Sequence, residues 1–204
     1  LVTRILEALA SLIIYVISRM GLPGVVLLMA IESACIPLPS EVIMPFAGYL
    51  VFLGKYSLWS VGLAGAIGCV VGSVPAYYLG MYGGRPLIER FGKYILMSRH
   101  DLDLADRWFT RHGEATVFFA RLLPVVRTFI AFPAGVARME MKRFLAYTFA
   151  GSLPWCLGLA YVGMVMGEKW PTLREYFHKF DLAIGAVLVA GIIWYVRRHL
   201  RNVT

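Results

Sequence analysis

Glu32-Ser33-Ala34-Cys35-Ile36-Pro37-Leu38-Pro39-Ser40-Glu41 stands between two apolar runs, residues 22–31 and 42–53. Counted to the prolines, each limb has about 12–15 residues, and a helix needs about 20 to cross a bilayer. Pro37 and Pro39 remove backbone donors and break helices, and Pro45 repeats the interruption in the second limb. Broken backbone at membrane depth survives only where protein or a water-filled cavity satisfies it. The stretch therefore predicts a re-entrant helical hairpin over residues 22–53 whose tip faces a polar interior.

Working outward, residues 57–83 are apolar and glycine-rich, with Gly65, Gly68 and Gly72 spaced so that another helix can approach closely. They predict a full transmembrane helix. Residues 114–137 repeat the broken pattern around Pro124, Arg127, Pro133 and Gly135, and predict a second hairpin. Residues 144–167 follow as a second span containing Pro154, and residues 181–196 as a last one ending in Arg197-Arg198. Residues 1–20 form a short helix that either tilts across the membrane or lies at its interface. Arg4 ahead of an apolar run is reminiscent of a signal peptide, but Ser18-Arg19-Met20-Gly21 lacks a small-residue cleavage pattern. Residues 85–113 mix basic and acidic residues with Leu87, Ile88, Phe91 and Trp108, which predicts an amphipathic surface segment.

Composition agrees with this class. Of the 204 residues, 59% are apolar and 16% charged, against roughly 45–50% and about 25% in soluble domains. The net charge of +8 could point to nucleic acid, but the basic residues punctuate apolar runs and no basic patch is interleaved with aromatics. They read as topology signals and contacts to anionic headgroups. Cys35, Cys69 and Cys156 are far apart in apolar stretches and read as small buried hydrophobes. The four histidines lie in polar connections or the tail, with no metal-ligand spacing among them. Gly83-Gly84 reads as a helix end, since no P-loop lysine or strand surrounds it. No metal or cofactor is expected.

The two broken segments match at an offset of 87: Pro37 with Pro124, Ile43 with Ile130, Ala47 with Ala134, Gly48 with Gly135, then Lys55 with Lys142, Leu58 with Leu145, Cys69 with Cys156 and Gly80 with Gly167. The shared order, hairpin then span, is the stronger signal. One hairpin plus one span crosses the membrane once, so residues 114–168 form a repeat inverted relative to residues 21–84. Inverted repeats with discontinuous helices mark transporters. This model puts twelve basic residues, from Arg85–Arg111, Arg138–Arg143 and the tail, on one side, against Lys55, Lys169, Arg174 and Lys179 on the other. The richer side, with residues 85–113 and the C-terminus, is expected to be cytoplasmic.

Four ionisable groups fall inside the hairpins: Glu32, Glu41, Arg121 and Arg127. A charge at the bilayer centre costs roughly 2.5–3.5 kcal/mol on insertion scales. The plainer reading is a structural salt bridge that locks the hairpins together. The functional reading is an Arg121/Arg127 clamp on an anionic headgroup, because guanidinium forks match phosphate oxygens in pairs. Glu41 then serves as resting counter-ion or proton acceptor, with Glu32 beside it. Tyr77, Tyr78, Tyr82, Trp155 and Tyr161 read as interfacial belts or helix packing.

Glu32-Ser33, Pro37-x-Pro39-x-Glu41, Ala47-Gly48, Gly72, Tyr78-x-Gly80, Phe119-x-Arg121-x-x-Pro124-x-x-Arg127, Ala134-Gly135 and Gly151 with Trp155 together resemble the DedA (SNARE-associated, VTT-domain) family over about residues 20–170. The resemblance implies two facing re-entrant hairpins and the flipping or scrambling of lipids, undecaprenyl phosphate in some bacterial members and phosphatidylethanolamine or related phospholipids in others. It maps the family's essential acid and arginines onto Glu41, Arg121 and Arg127. Two departures stand out. Residues 51–54 lack the second acid of some proton-dependent members, and Ser73 and Met81 stand where many members have Asp and Arg.

The expectation is an all-α, multi-pass membrane protein that moves a lipid with an anionic headgroup across the bacterial cytoplasmic membrane and is not an enzyme. A small-cation/proton antiporter using Glu41 is the alternative. A lipid phosphatase would need an intramembrane nucleophile and base together, and no histidine falls in the apolar segments. Residues 37, 39, 45, 48, 124, 133 and 135 (Pro, Pro, Pro, Gly, Pro, Pro, Gly) shape the hairpins. Oligomeric state stays open, a homo-oligomer included.

Overall fold

A computed structural model describes residues 2–34, 36, 38–83, 113, 115–124 and 126–167. The amphipathic segment expected over 85–112, the last span expected over 181–196, the basic tail and Pro37 lie outside the described residues. Every described element is helical: α1 (Val2–Met20), α2 (Leu22–Ser33), α3 (Ser40–Phe52), α4 (Leu58–Tyr78) with a π-helical extension (Leu79–Gly83), α5 (Ala115–Arg121), α6 (Val126–Phe129), α7 (Ala131–Val136) and α8 (Met141–Val165).

The breaks follow from local chemistry. Gly21 takes φ +63 and separates α1 from α2, and a side chain there would strike the Tyr56 hydroxyl. Pro39 holds extended backbone (φ −79, ψ 105) immediately ahead of α3, because proline blocks helical extension backwards. Ser57 starts α4: its hydroxyl accepts from the Ser60 N–H while Ser60 Oγ accepts from the Ser57 N–H, both at 3.1 Å. Pro124 falls between α5 and α6. After α7, Arg138 adopts φ 50, and the Arg138 and Met139 N–H groups turn back onto the Gly135 and Ala134 carbonyls.

Two described helices are long and apolar enough to cross a membrane: Leu58–Gly83, of 26 residues, and Met141–Val165, of 25. At 1.5 Å per residue each exceeds the roughly 30 Å hydrocarbon core. Their outer faces expose Leu63, Ile67 and Val71 on α4 and Tyr161, Val162 and Val165 on α8. That spacing is one apolar helical face, a costly surface in water and an ordinary one in lipid. Trp59 and Tyr82, both strongly exposed, mark opposite ends of the first long helix.

The two long helices pack antiparallel, since Gly62 meets Leu157 at one end and Tyr77 stacks 4.8 Å from Phe144 at the other. Around them the short helices divide in a crossed manner. α2 lies on α4, where Gly68 and Gly72 admit the backbone at Val26 and Ala30. α3 leaves for α8, with Gly48 against Ala160 and Gly163 against Pro45. α5 lies on α8 at Gly151. α7 leaves for the far end of the first long helix, with Gly135 against Tyr77 and Gly80 against Phe132. Pro45 and Phe132 are 87 positions apart, as are Gly48 and Gly135, whereas Tyr77 and Ala160 are 83 apart, as are Gly80 and Gly163. Along the long helices the contacts thus pair at 83 positions, about one helical turn from the alignment offset of 87. α1 covers α2 and α3 with Ile13 and Ile17, one turn apart and buried.

Candidate functional site

The polar residues buried in this unit are few: Glu32 and Ser33 of α2, Ser40 of α3, Ser73 of α4, Arg121 of α5, Arg127 of α6, and Thr148 and Ser152 of α8. Short helices bring them between the two long ones. α5 and α6 end in or carry an arginine each, and both guanidiniums are 1% exposed. Such long side chains are rarely buried without charged or polar neighbours.

Arg127 sits at the centre. Its Nη2 lies 3.5 Å from Glu32 Oε2 and 3.3 Å from Cys69 Sγ, and its guanidinium carbon is 5.2 Å from the Trp155 ring centroid. A charge-assisted N–H to carboxylate bond is normally about 2.7–2.9 Å, so this ion pair is loose. Arg127 Nη1 is buried and has no hydrogen-bond partner. Arg121 Nη2 donates to Ser73 Oγ at 2.5 Å, and Ser73 Oγ in turn donates to the Cys69 carbonyl one turn back. Arg121 therefore ties α5 to α4. The Tyr77 hydroxyl donates to the Met139 carbonyl and closes the lower end of the same interior.

Of the expected site residues, Glu32 and Arg127 meet directly, and Arg121 lies on the α4 side of the same interior. Glu41 is placed differently from the expected resting counter-ion. It stands in the first turn of α3, half-buried, accepts from Ser40 Oγ at 3.4 Å and forms no ion pair among the described residues. Its helix leaves towards α8, and Glu32 is the acid that reaches Arg127. Pro39, Pro45, Gly48, Pro124, Pro133 and Gly135 fall at helix breaks or crossings, as described above.

Sequence reasoning missed Cys69, Ser73, Thr148, Ser152 and Trp155 as parts of this interior. A signal existed for the cysteines: Cys69 and Cys156 match in the sequence at the offset of 87, and the two buried thiols face one another between α4 and α8. Among the described residues, no group of three His, Cys, Asp or Glu side chains is arranged to hold a metal ion.

Comparison with known proteins places this geometry. A family model described as the VTT domain matches residues 38–165. The chain is similar to an uncharacterized membrane protein, YkoX, of Bacillus subtilis (38% identical, covering 88% of this chain and 79% of the relative). It is similar to undecaprenyl phosphate transporter A of the same organism (32% identical, 94% and 96% covered). An alkaline phosphatase-like protein of Lactococcus lactis is 30% identical, with 93% and 92% covered. No solved structure matches.

Proposed function

From the premise that this chain belongs to the VTT-domain (DedA) family of membrane proteins, we propose that it is a transporter that carries a phosphate-bearing lipid headgroup across the bacterial cytoplasmic membrane. Undecaprenyl phosphate, named for a relative that matches over nearly its whole length, is the first substrate to test, and a phospholipid such as phosphatidylethanolamine the second. The observation that carries the reading is Arg127: a guanidinium 1% exposed, loosely paired with Glu32, with one Nη holding no hydrogen-bond partner. A buried cation kept short of full pairing costs stability unless an anion completes it. A tetrahedral phosphate oxygen set matches that need, and Arg121 stands on the neighbouring helix as the second fork of the clamp.

In this reading α2–α3 and α5–α7 are two re-entrant hairpins of an inverted repeat. The crossed glycine contacts support it, because α3 meets α8 as α7 meets the first long helix, at residues separated by constant intervals. Alternating access then proceeds by one hairpin and span rocking against the other around a fixed site. The C-terminus faces the cytoplasm on the strength of the basic residues. Glu41, half-buried at the start of α3, is the group through which a proton would couple to transport.

Headgroup translocation in liposomes tests this. Arg127→Lys keeps the charge and loses the planar fork, and is expected to slow transport at least tenfold while the melting temperature moves little. Glu41→Gln is expected to slow release. Normal transport by both variants, per folded protein, would show that the charges are structural. Phosphate released into the same vesicles would instead support a phosphatase.

A further inference from the structure

α8 carries a polar stripe that nothing among the described residues satisfies. Thr148, Ser152 and Trp155 are spaced i, i+4 and i+7, so they share one face of the helix. Thr148 and Ser152 are fully buried. Thr148 Oγ1, Ser152 Oγ and Trp155 Nε1 are buried and without a hydrogen-bond partner. Helical serines and threonines commonly bond their own backbone four residues back, and Ser73 does so at 2.5 Å. Thr148 and Ser152 do not.

Neighbours fix the direction of the stripe. On one flank Gly151 packs against Phe118 and Arg121 of α5, and on the other Cys156 packs against Gly65 of α4. The stripe thus points into the corner between α5 and α4, the corner that the Arg121–Ser73 bond spans. At its end Trp155 lies under the Arg127 guanidinium, 5.2 Å away. An indole N–H and a guanidinium N–H can only donate. Two unpartnered donors of that kind in one corner call for an acceptor that the described residues do not provide.

We infer that Trp155, Ser152 and Thr148 complete the anion site on the α8 side, donating with Arg127 Nη1 to the non-bridging oxygens of a phosphate monoester. The inference deepens the transport reading above and rests on it. It assigns substrate recognition to three neutral donors on a long helix, where the sequence pointed to charges on short ones. It also explains why the buried hydroxyls remain unbonded: a donor committed to its own backbone would have to be released each time substrate enters.

The test uses the full-length protein in detergent and reads thermal stabilisation and affinity with three probes: farnesyl phosphate, farnesol and inorganic phosphate. Trp155→Phe keeps an aromatic ring but removes the pyrrole ring with its N–H. Ser152→Ala and Thr148→Val remove one hydroxyl each at nearly constant shape. Each variant is expected to bind farnesyl phosphate about tenfold more weakly, the scale of one hydrogen bond to a charged group. Without probe, Ser152→Ala and Thr148→Val should melt at or above the wild-type temperature, because an unsatisfied buried polar group has been removed, whereas Trp155→Phe also loses ring volume and is judged on affinity alone. Stabilisation by farnesyl phosphate alone assigns the site to a lipid headgroup, and stabilisation by inorganic phosphate as well assigns it to the oxyanion itself. Either result, with weakened variants, supports the site. Wild-type affinity in all three variants overturns this inference and leaves the arginine clamp standing, provided Arg127→Lys still weakens binding. Ser152→Ala and Thr148→Val variants that melt lower without probe, and lose affinity only in proportion, show a packing role and overturn it too. A wild-type protein that no phosphate probe stabilises overturns both readings.

Discussion

The two broken segments make a controlled comparison, since their packing is duplicated and their chemistry is not. Gly48 of α3 and Gly135 of α7 each press a backbone carbonyl, that of Ala160 or Tyr77, at matching positions. Yet α2 and α3 are helices of 12 and 13 residues that carry Glu32 and Glu41, whereas α5, α6 and α7 have 7, 4 and 6 residues and carry Arg121 and Arg127. The difference lies in side-chain reach. A carboxylate is short, so a regular helix must deliver it. A guanidinium at the end of a long flexible stem can cross a gap from fragmentary backbone. The packing of the scaffold is therefore duplicated while the charge within it is one-sided.

The largest expected effect tests the duplicated half of that statement. Gly48→Val and Gly135→Val each drive a branched side chain into a main-chain carbonyl that cannot swing aside. Overpacking usually costs about 1–3 kcal/mol. With backbone as the obstacle, upward of ~4 kcal/mol is expected, and folded protein should be lost in both. Size-exclusion profiles and melting temperatures measure it. If one site accepts valine and the other does not, the packing is not duplicated.

Next comes the one-sided half. Glu32→Gln breaks the buried pair with Arg127 and should cost about 3 kcal/mol, since an uncompensated buried charge remains. Glu41→Gln, at a half-buried residue with no ion pair among the described residues, should cost under ~1 kcal/mol. Equal losses of melting temperature in the two variants would place Glu41 in the resting pair after all. A smaller effect is expected from Ser73→Ala, which removes the anchor of Arg121. The loss of one hydrogen bond to a charged group predicts ~1.5 kcal/mol, with Ser73→Thr, which keeps a hydroxyl, nearer the wild type.

The order of these effects reflects what the sequence discloses. Prolines and glycines act through the backbone, so the breaks at Pro39 and Pro124 and the crossings at Gly48 and Gly135 were legible in the residues themselves. The four charges were legible too, because each is costly in an apolar run. Their pairing was not. Glu41 looks central in the sequence because it lies two residues after Pro39, at the break, but the partner of Arg127 is set by which short helix lies on which long one, a long-range property. Thr148 and Ser152 were invisible for the opposite reason: a hydroxyl in an apolar helix is commonplace, and only its lack of a partner gives it meaning.

The smallest effect separates crossing glycines from idle ones within a single helix. α8 contains Gly151, Gly158 and Gly163. A methyl group at Gly163 would meet the backbone of Pro45, and one at Gly151 the Phe118 carbonyl and Arg121 Cβ, at 2.7 and 2.8 Å. At Gly158 it would meet nothing within 4 Å. Helix propensity alone favours alanine over glycine by roughly 0.5–1 kcal/mol at all three positions. The clash outweighs that gain at Gly163, where the obstacle is main chain from a different segment. It outweighs it by less at Gly151, where the Phe118 carbonyl and Arg121 Cβ stand further off, at 2.7 and 2.8 Å, than the Pro45 carbonyl does at Gly163. Gly158→Ala is left with the propensity gain alone, so its melting temperature should rise. Thermal melts of the three alanine variants should rank Gly158 above wild type, Gly151 below it and Gly163 lowest. A rise at Gly163 would mean that α3 does not seat on α8, and the crossed packing of the two halves would fall with it.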